Sequence, residues 1–146
     1  MLRGIFGRLM MRKLVYAVAA LALWTSAPTI AQSSEEEILR MFIPREVSLV
    51  KDGDEYGFQS ELGVPYYVFD EDEANKSNCT AECAETWWPV RPRGNADPMT
   101  PWTLVEREDG RPQWAYKGQP IYMYVDDQPG KALGDGIDGK WHVLKP

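Results

Sequence analysis

The sequence predicts a mainly β protein built from two tandem repeats, and three observations lead there. From Val47 onward, short apolar–polar runs alternate with turn residues, which is the period of half-buried strands. The stretch Gly63–Val64–Pro65–Tyr66–Tyr67–Val68–Phe69–Asp70–Glu71–Asp72 returns as Gly118–Gln119–Pro120–Ile121–Tyr122–Met123–Tyr124–Val125–Asp126–Asp127, 55 residues later. Finally, each copy holds only three or four short strands, too few to close a core alone. The expected architecture is therefore two antiparallel β-meanders packed on each other with pseudo-two-fold symmetry, forming one compact domain over residues 47–146.

The chain has 146 residues, and its first 31 read as an export signal. Arg3, Arg8, Arg12 and Lys13 precede an apolar run, Leu14 to Leu23, and Thr29–Ile30–Ala31 supplies small residues for cleavage after Ala31. The run is about half the ~20 residues needed to span a bilayer. Met1, Met10 and Met11 all leave this signal complete as starts. No cysteine lies near the cleavage point, so a stable membrane anchor after cleavage is not expected.

Removing four basic residues and no acidic ones leaves 12 basic against 22 acidic, a net charge of −10. Such a field repels phosphate and argues against nucleic acid as a partner. In an oxidising compartment the two cysteines, Cys79 and Cys83, are most simply a disulfide. Four residues apart, their Cα atoms come to ~6 Å only in a helical turn. A short helical turn is therefore expected there, with Ser77 or Asn78 as its cap.

Residues 32–46 form an acidic lead-in. Ser33 or Ser34 would cap a short helix with Ile38, Leu39, Met41 and Phe42 on an apolar face, ended by Pro44. Repeat 1 follows over residues 47–92. Val47–Val50 and Tyr56–Phe58 are strands around the turn Lys51–Asp54, and Tyr66–Phe69 is the next strand. Residues 93–101, broken by proline and glycine, form a linker. Repeat 2 covers residues 102–146. In it Thr103–Leu104–Val105 matches Ser48–Leu49–Val50, and Trp141 matches Trp87 after a one-residue slip.

Both copies fit the pattern Tyr-x-(Phe/Trp/Tyr)-x-x-Asp: Tyr67, Phe69 and Asp72, then Tyr122, Tyr124 and Asp127. The chain resembles the bacterial predicted lipoproteins named for that motif, also described as secreted repeats of unknown function. The Cys79–Cys83 pair before Trp87–Trp88–Pro89, the run Gln113 to Gly118, and the ending Gly134–Asp135–Gly136 with Trp141–His142 agree with it. The resemblance implies a secreted repeat and leaves its activity open.

No nucleophile–base constellation stands out, and the sequence holds no phosphate loop or His-Glu-x-x-His motif. The expected function is an exported, non-enzymatic binding module, periplasmic or secreted, without a cofactor, whose partner is a protein or a small molecule. The alternative is copper or another redox metal held by Cys79, Cys83 and His142, the soft-ligand set of some exported copper carriers. A redox thiol pair and calcium at the acidic turns (Asp70 to Glu73, Asp126–Asp127, Asp135, Asp138) are further alternatives. The motif tyrosines are expected in the core, with an exposed aromatic platform for flat ligands as the other reading. Asp72 and Asp127 are expected to fix their own turns.

Overall fold

A computed structural model describes residues 37, 38 and 40–146. The signal, its cleavage point and the Ser33/Ser34 cap lie outside the described residues. Strands are β1 (Val47–Asp52), β2 (Glu55–Ser60), β3 (Tyr67–Phe69), β4 (Trp87–Pro89), β5 (Trp102–Glu106), β6 (Pro112–Tyr116), β7 (Gln119–Pro120), β8 (Tyr122–Tyr124) and β9 (Trp141–Val143). One short helix, α1 (Glu82–Thr86), precedes β4, and a 3-10 turn (Ile137–Gly139) precedes β9. The protein is mainly β, and every strand pairing among the described residues is antiparallel.

Each repeat opens as an antiparallel meander. In repeat 1, β1 pairs with β2 (Leu49 opposite Phe58), and Gln59 bridges Pro65. In repeat 2, β5 pairs with β6 (Leu104 opposite Trp114), and Ala115 faces Pro120 on β7. Phe58 therefore corresponds to Trp114, one residue beyond the 55-residue shift. The second hairpin turn is longer by one residue, and the following turn before Gly118 is shorter by one. The sequence match looks gapless because these two changes cancel. Gly63 and Gly118 match because both turns need a left-handed residue, with φ of 81° and 82°.

The last two strands of each repeat are exchanged. They form one four-stranded sheet in the order β4-β8-β3-β9, so strands of repeats 1 and 2 alternate. Replacing each strand by its counterpart, β3 for β8 and β4 for β9, returns the same order. At the centre Tyr67 faces its own counterpart, Tyr122. Neither repeat can complete this sheet alone, because each central strand gets partners on both sides only from the other repeat.

Period-two alternation sorts the side chains onto the sheet's two faces. On one, Tyr66, Val68, Val90, Ile121 and Leu144 pack with Val47, Leu49, Phe58, Trp102, Trp114 and Tyr116 of the two meanders. Edge-to-face contacts join Phe58 of repeat 1 to Trp102 and Tyr116 of repeat 2, with centroids 5.1 and 5.0 Å apart. On the other face, Tyr67, Cys79, Trp87, Tyr122 and Trp141 form a second buried cluster.

In the lead-in, Glu37, Ile38, Arg40 and Met41 are helical, the helix ends before Pro44, and Ile38, Met41 and Phe42 are exposed. Ile43, nearer the first strand, packs against the main cluster instead. Among the described residues no helix is long and apolar enough to cross a membrane.

Candidate functional site: the aromatic cleft between the repeats

Four rings form a continuous stack across the second cluster. Phe69 lies on Trp141 (centroids 4.3 Å apart), Trp141 on Trp87 (3.7 Å, 3° between planes), and Trp87 leans on Tyr124 (4.7 Å). The order is unchanged by exchange of repeats, because Phe69 corresponds to Tyr124 and Trp87 to Trp141. The two tryptophans are buried, whereas Phe69 and Tyr124 are half-buried at the ends. A cleft of about 360 Å³ opens over the stack. Its lining also pairs by counterpart: Cys83 with Ile137, and Thr86 with Lys140. Asp138, exposed and at φ 53°, breaks the pairing and adds a carboxylate to the rim.

The motif tyrosines and aspartates hold this cleft from below. Tyr67 and Tyr122 are fully buried, and each donates its hydroxyl to the aspartate of the other repeat. Tyr67 Oη lies 2.7 Å from Asp127 Oδ2, and Tyr122 Oη lies 2.7 Å from Asp72 Oδ2. The other oxygen of each carboxylate accepts a backbone N–H of its own turn, from Asn78 (2.7 Å) on Asp72 and from Leu133 (2.8 Å) on Asp127. One carboxylate therefore shapes its turn and fastens the two repeats at once. Burial is the main cause that pushes both tyrosine hydroxyls well above their ordinary range, so they remain donors.

Among the described residues, only the Tyr122–Asp72 end continues into a polar network. Ser77 Oγ lies 2.8 Å from Tyr122 Oη, and Arg107 Nη1 donates to Ser77 Oγ and to Gln113 Oε1, both at 2.6 Å. Arg107 Nη2 donates to the Cys79 carbonyl at 2.6 Å. Gln113 in turn donates to the Ile121 carbonyl at 2.8 Å. Arg107, Ser77 and Gln113 are all buried. The Arg107 charge thus reaches the Asp72 carboxylate through two hydroxyls. Desolvation dominates at Asp72 and holds its carboxyl above the usual carboxylate range, although its hydrogen bonds and Arg107 oppose this. At the other end the Gly134 N–H, 3.3 Å from Tyr67 Oη, stands alone.

Cys79 and Cys83 form a disulfide, their Cα atoms 5.2 Å apart, at the start of α1. The expected caps are not used. The helix begins after Ala81 without a side-chain cap, Ser77 turns inward to Tyr122, and Asn78 Nδ2 donates to the Glu71 carbonyl at 2.6 Å. Ser77 and Asn78 precede the helix by several residues and are spent on the Asp72 turn. The disulfide takes both sulfurs named for copper, and His142 Nε2 lies 3.0 Å from Asp70 Oδ2 on the exposed side of β9. Strand alternation points His142 away from Trp141 and Val143, which pack with the cysteines. Among the described residues no three His, Cys, Asp or Glu side chains gather as metal ligands.

Sequence reasoning missed Ser77, Arg107 and Gln113. Arg107 follows a strand and sits in a charged run ending in Glu108 and Asp109, so nothing local marks it as buried. The pairing of Trp87 with Trp141 was visible in the repeat, but their stacking needed the exchanged strands.

Interleaved antiparallel repeats around one disulfide, with an aromatic cleft between them, define an exported β-repeat protein. The chain belongs to the family of secreted repeats of unknown function, which matches it over residues 59–91 and 103–145. No curated protein and no solved structure matches the chain.

Proposed function

We propose that this protein is an exported, non-enzymatic binding module, periplasmic or secreted, whose ligand or protein partner occupies the cleft between the repeats. The observation that carries this reading is the composition of the cleft. It lies between the repeats and is lined by Phe69, Tyr124, Trp87 and Trp141, with Thr86, Asp138 and Lys140 at its polar rim. Half-buried rings beside a few polar groups are the usual make-up of a small-molecule site. The motif's Tyr67, Asp72, Tyr122 and Asp127 hold the repeats together below the cleft. Its Phe69 and Tyr124 line the cleft and offer their rings to the ligand.

Flat ligands such as sugars stack on such rings, so tryptophan fluorescence titrated against a glycan panel tests the reading. A saturable change that Tyr124→Ala abolishes, in a variant that keeps its thermal transition, supports it. Turnover of any panel member that depends on one side chain would contradict the non-enzymatic part. Binding that survives both Tyr124→Ala and Phe69→Ala would move the site elsewhere.

A further inference from the structure

The Cys79–Cys83 disulfide has no counterpart in repeat 2. Repeat 2 builds the corresponding turn without sulfur: Gly134 stands where repeat 1 has Cys79, Ile137 where it has Cys83, and the 3-10 turn Ile137–Gly139 replaces α1. Closing so small a ring also restrains the unfolded chain less than a long loop would. The geometry points to an exchange-active disulfide: Cys83 Sγ, on the wall of the aromatic cleft, accepts attack by an external thiolate, and Cys79 is the leaving sulfur.

Three observations support this assignment. Access is one-sided, since Cys83 is half-buried and lines the cleft while Cys79 is wholly buried. A thiolate entering the cleft meets Cys83 first. Next, the residue that carries the leaving sulfur is fastened by its backbone, its carbonyl accepting from the buried Arg107, so Cys79 keeps its place when the bond opens. Third, the ring closed by the disulfide contains Ala81 at φ 47°, ψ −122°, a conformation costly for a residue with a Cβ. Opening the ring allows that backbone to relax.

The chemistry balances with a thiol as the co-reactant. The attacking thiolate forms a new S–S bond to Cys83 Sγ, and the electron pair of the old bond leaves on Cys79 Sγ. Cys79 then takes a proton from water or returns to expel the incoming thiol. A second thiolate that attacks the incoming sulfur of the mixed disulfide frees Cys83. The external pair is then oxidised to its own disulfide, and two electrons have passed to the protein. This step is independent of whether the cleft also binds a non-thiol ligand.

Reduced glutathione is the probe. The folded, oxidised full chain is incubated with it, quenched in acid, alkylated, and mapped by peptide mass, while near-UV circular dichroism reports the native fold. Expected is a glutathione adduct on Cys83 with Cys79 recovered as the alkylated free thiol, formed while the native signal persists. An adduct that appears only after denaturant is added, or one located on Cys79, overturns the proposal. Ala81→Gly supplies a second readout that needs no cysteine change. By removing the strain it should move the oxidised-to-reduced ratio, at a fixed glutathione buffer, about tenfold toward the disulfide. An unchanged ratio would remove strain from the account.

Discussion

The Tyr122–Asp72 and Tyr67–Asp127 bridges occupy corresponding places and have the same 2.7 Å bond, yet their surroundings differ. Around Tyr122 the hydroxyl also meets Ser77, and through it the buried Arg107. Around Tyr67 it meets only the Gly134 N–H, with the tryptophan stack pressed against that glycine. The comparison separates two things that a repeat carries. The tyrosine–aspartate exchange and the ring stack are present in both copies and hold the repeats together. The arginine network and the disulfide occur in one copy only, and the corresponding turn of repeat 2 is built without them.

The shared elements should cost the same in either copy. Trp87→Ala and Trp141→Ala should each lose about 3–5 kcal/mol of stability by chemical denaturation, because each opens the same stack. A difference above about 1.5 kcal/mol, roughly half the loss expected of either change, would break the equivalence. Gly134 gives the next largest effect. An added Cβ would stand 2.7 Å from Trp87 Cη2 and 3.0 Å from Tyr124 Cβ, so Gly134→Ala should cost about 1–3 kcal/mol by overpacking. A neutral outcome in the same denaturation experiment would mean the stack yields easily at that end.

Removing single hydroxyls then sharpens the difference between the ends. Tyr122→Phe leaves Asp72 and Ser77 short of a partner in a buried network and should cost about 2 kcal/mol. Tyr67→Phe leaves a less enclosed pair of groups and should cost about 1 kcal/mol. Equal losses would show that the arginine network does not strengthen its bridge. The smallest effect is in pH. Asp72 holds its proton to higher pH in the folded protein than in the unfolded chain, so folding binds protons in that window. Stability must therefore fall as pH rises from the ordinary aspartate range through the folded value. Asp72→Asn should remove that part of the slope in melting temperature against pH. An identical slope in the variant would place the group's titration elsewhere.

Much of this fold was legible because strand repeats write themselves twice. Gly63 and Gly118, Tyr67 and Tyr122, and Trp87 and Trp141 each mark a backbone or packing need that the duplicated chain must meet again. The short helical turn at the cysteine pair was also legible, although it includes only Cys83, and the non-helical Ala81 before it completes the approach of the two Cα atoms. The exchange of strands was not, because a period of two fixes which face a residue takes and leaves the neighbouring strand open. For the same reason the aspartates read as turn residues, which they are, while their bonds to tyrosines of the other repeat stayed hidden. Arg107 was the hardest case. A charged residue beside a turn is ordinarily solvated, and only its three buried acceptors explain why this one is inside.

The central claim is that the two repeats complete one sheet between them. Residues 47–92 and 102–146, produced separately and then mixed, test it most directly by near-UV circular dichroism and sedimentation. Each half alone should lack a native signal as a monomer, and an equimolar mixture should recover the signal and a cooperative thermal transition. Either half folding alone as a stable monomer would contradict the interleaved sheet.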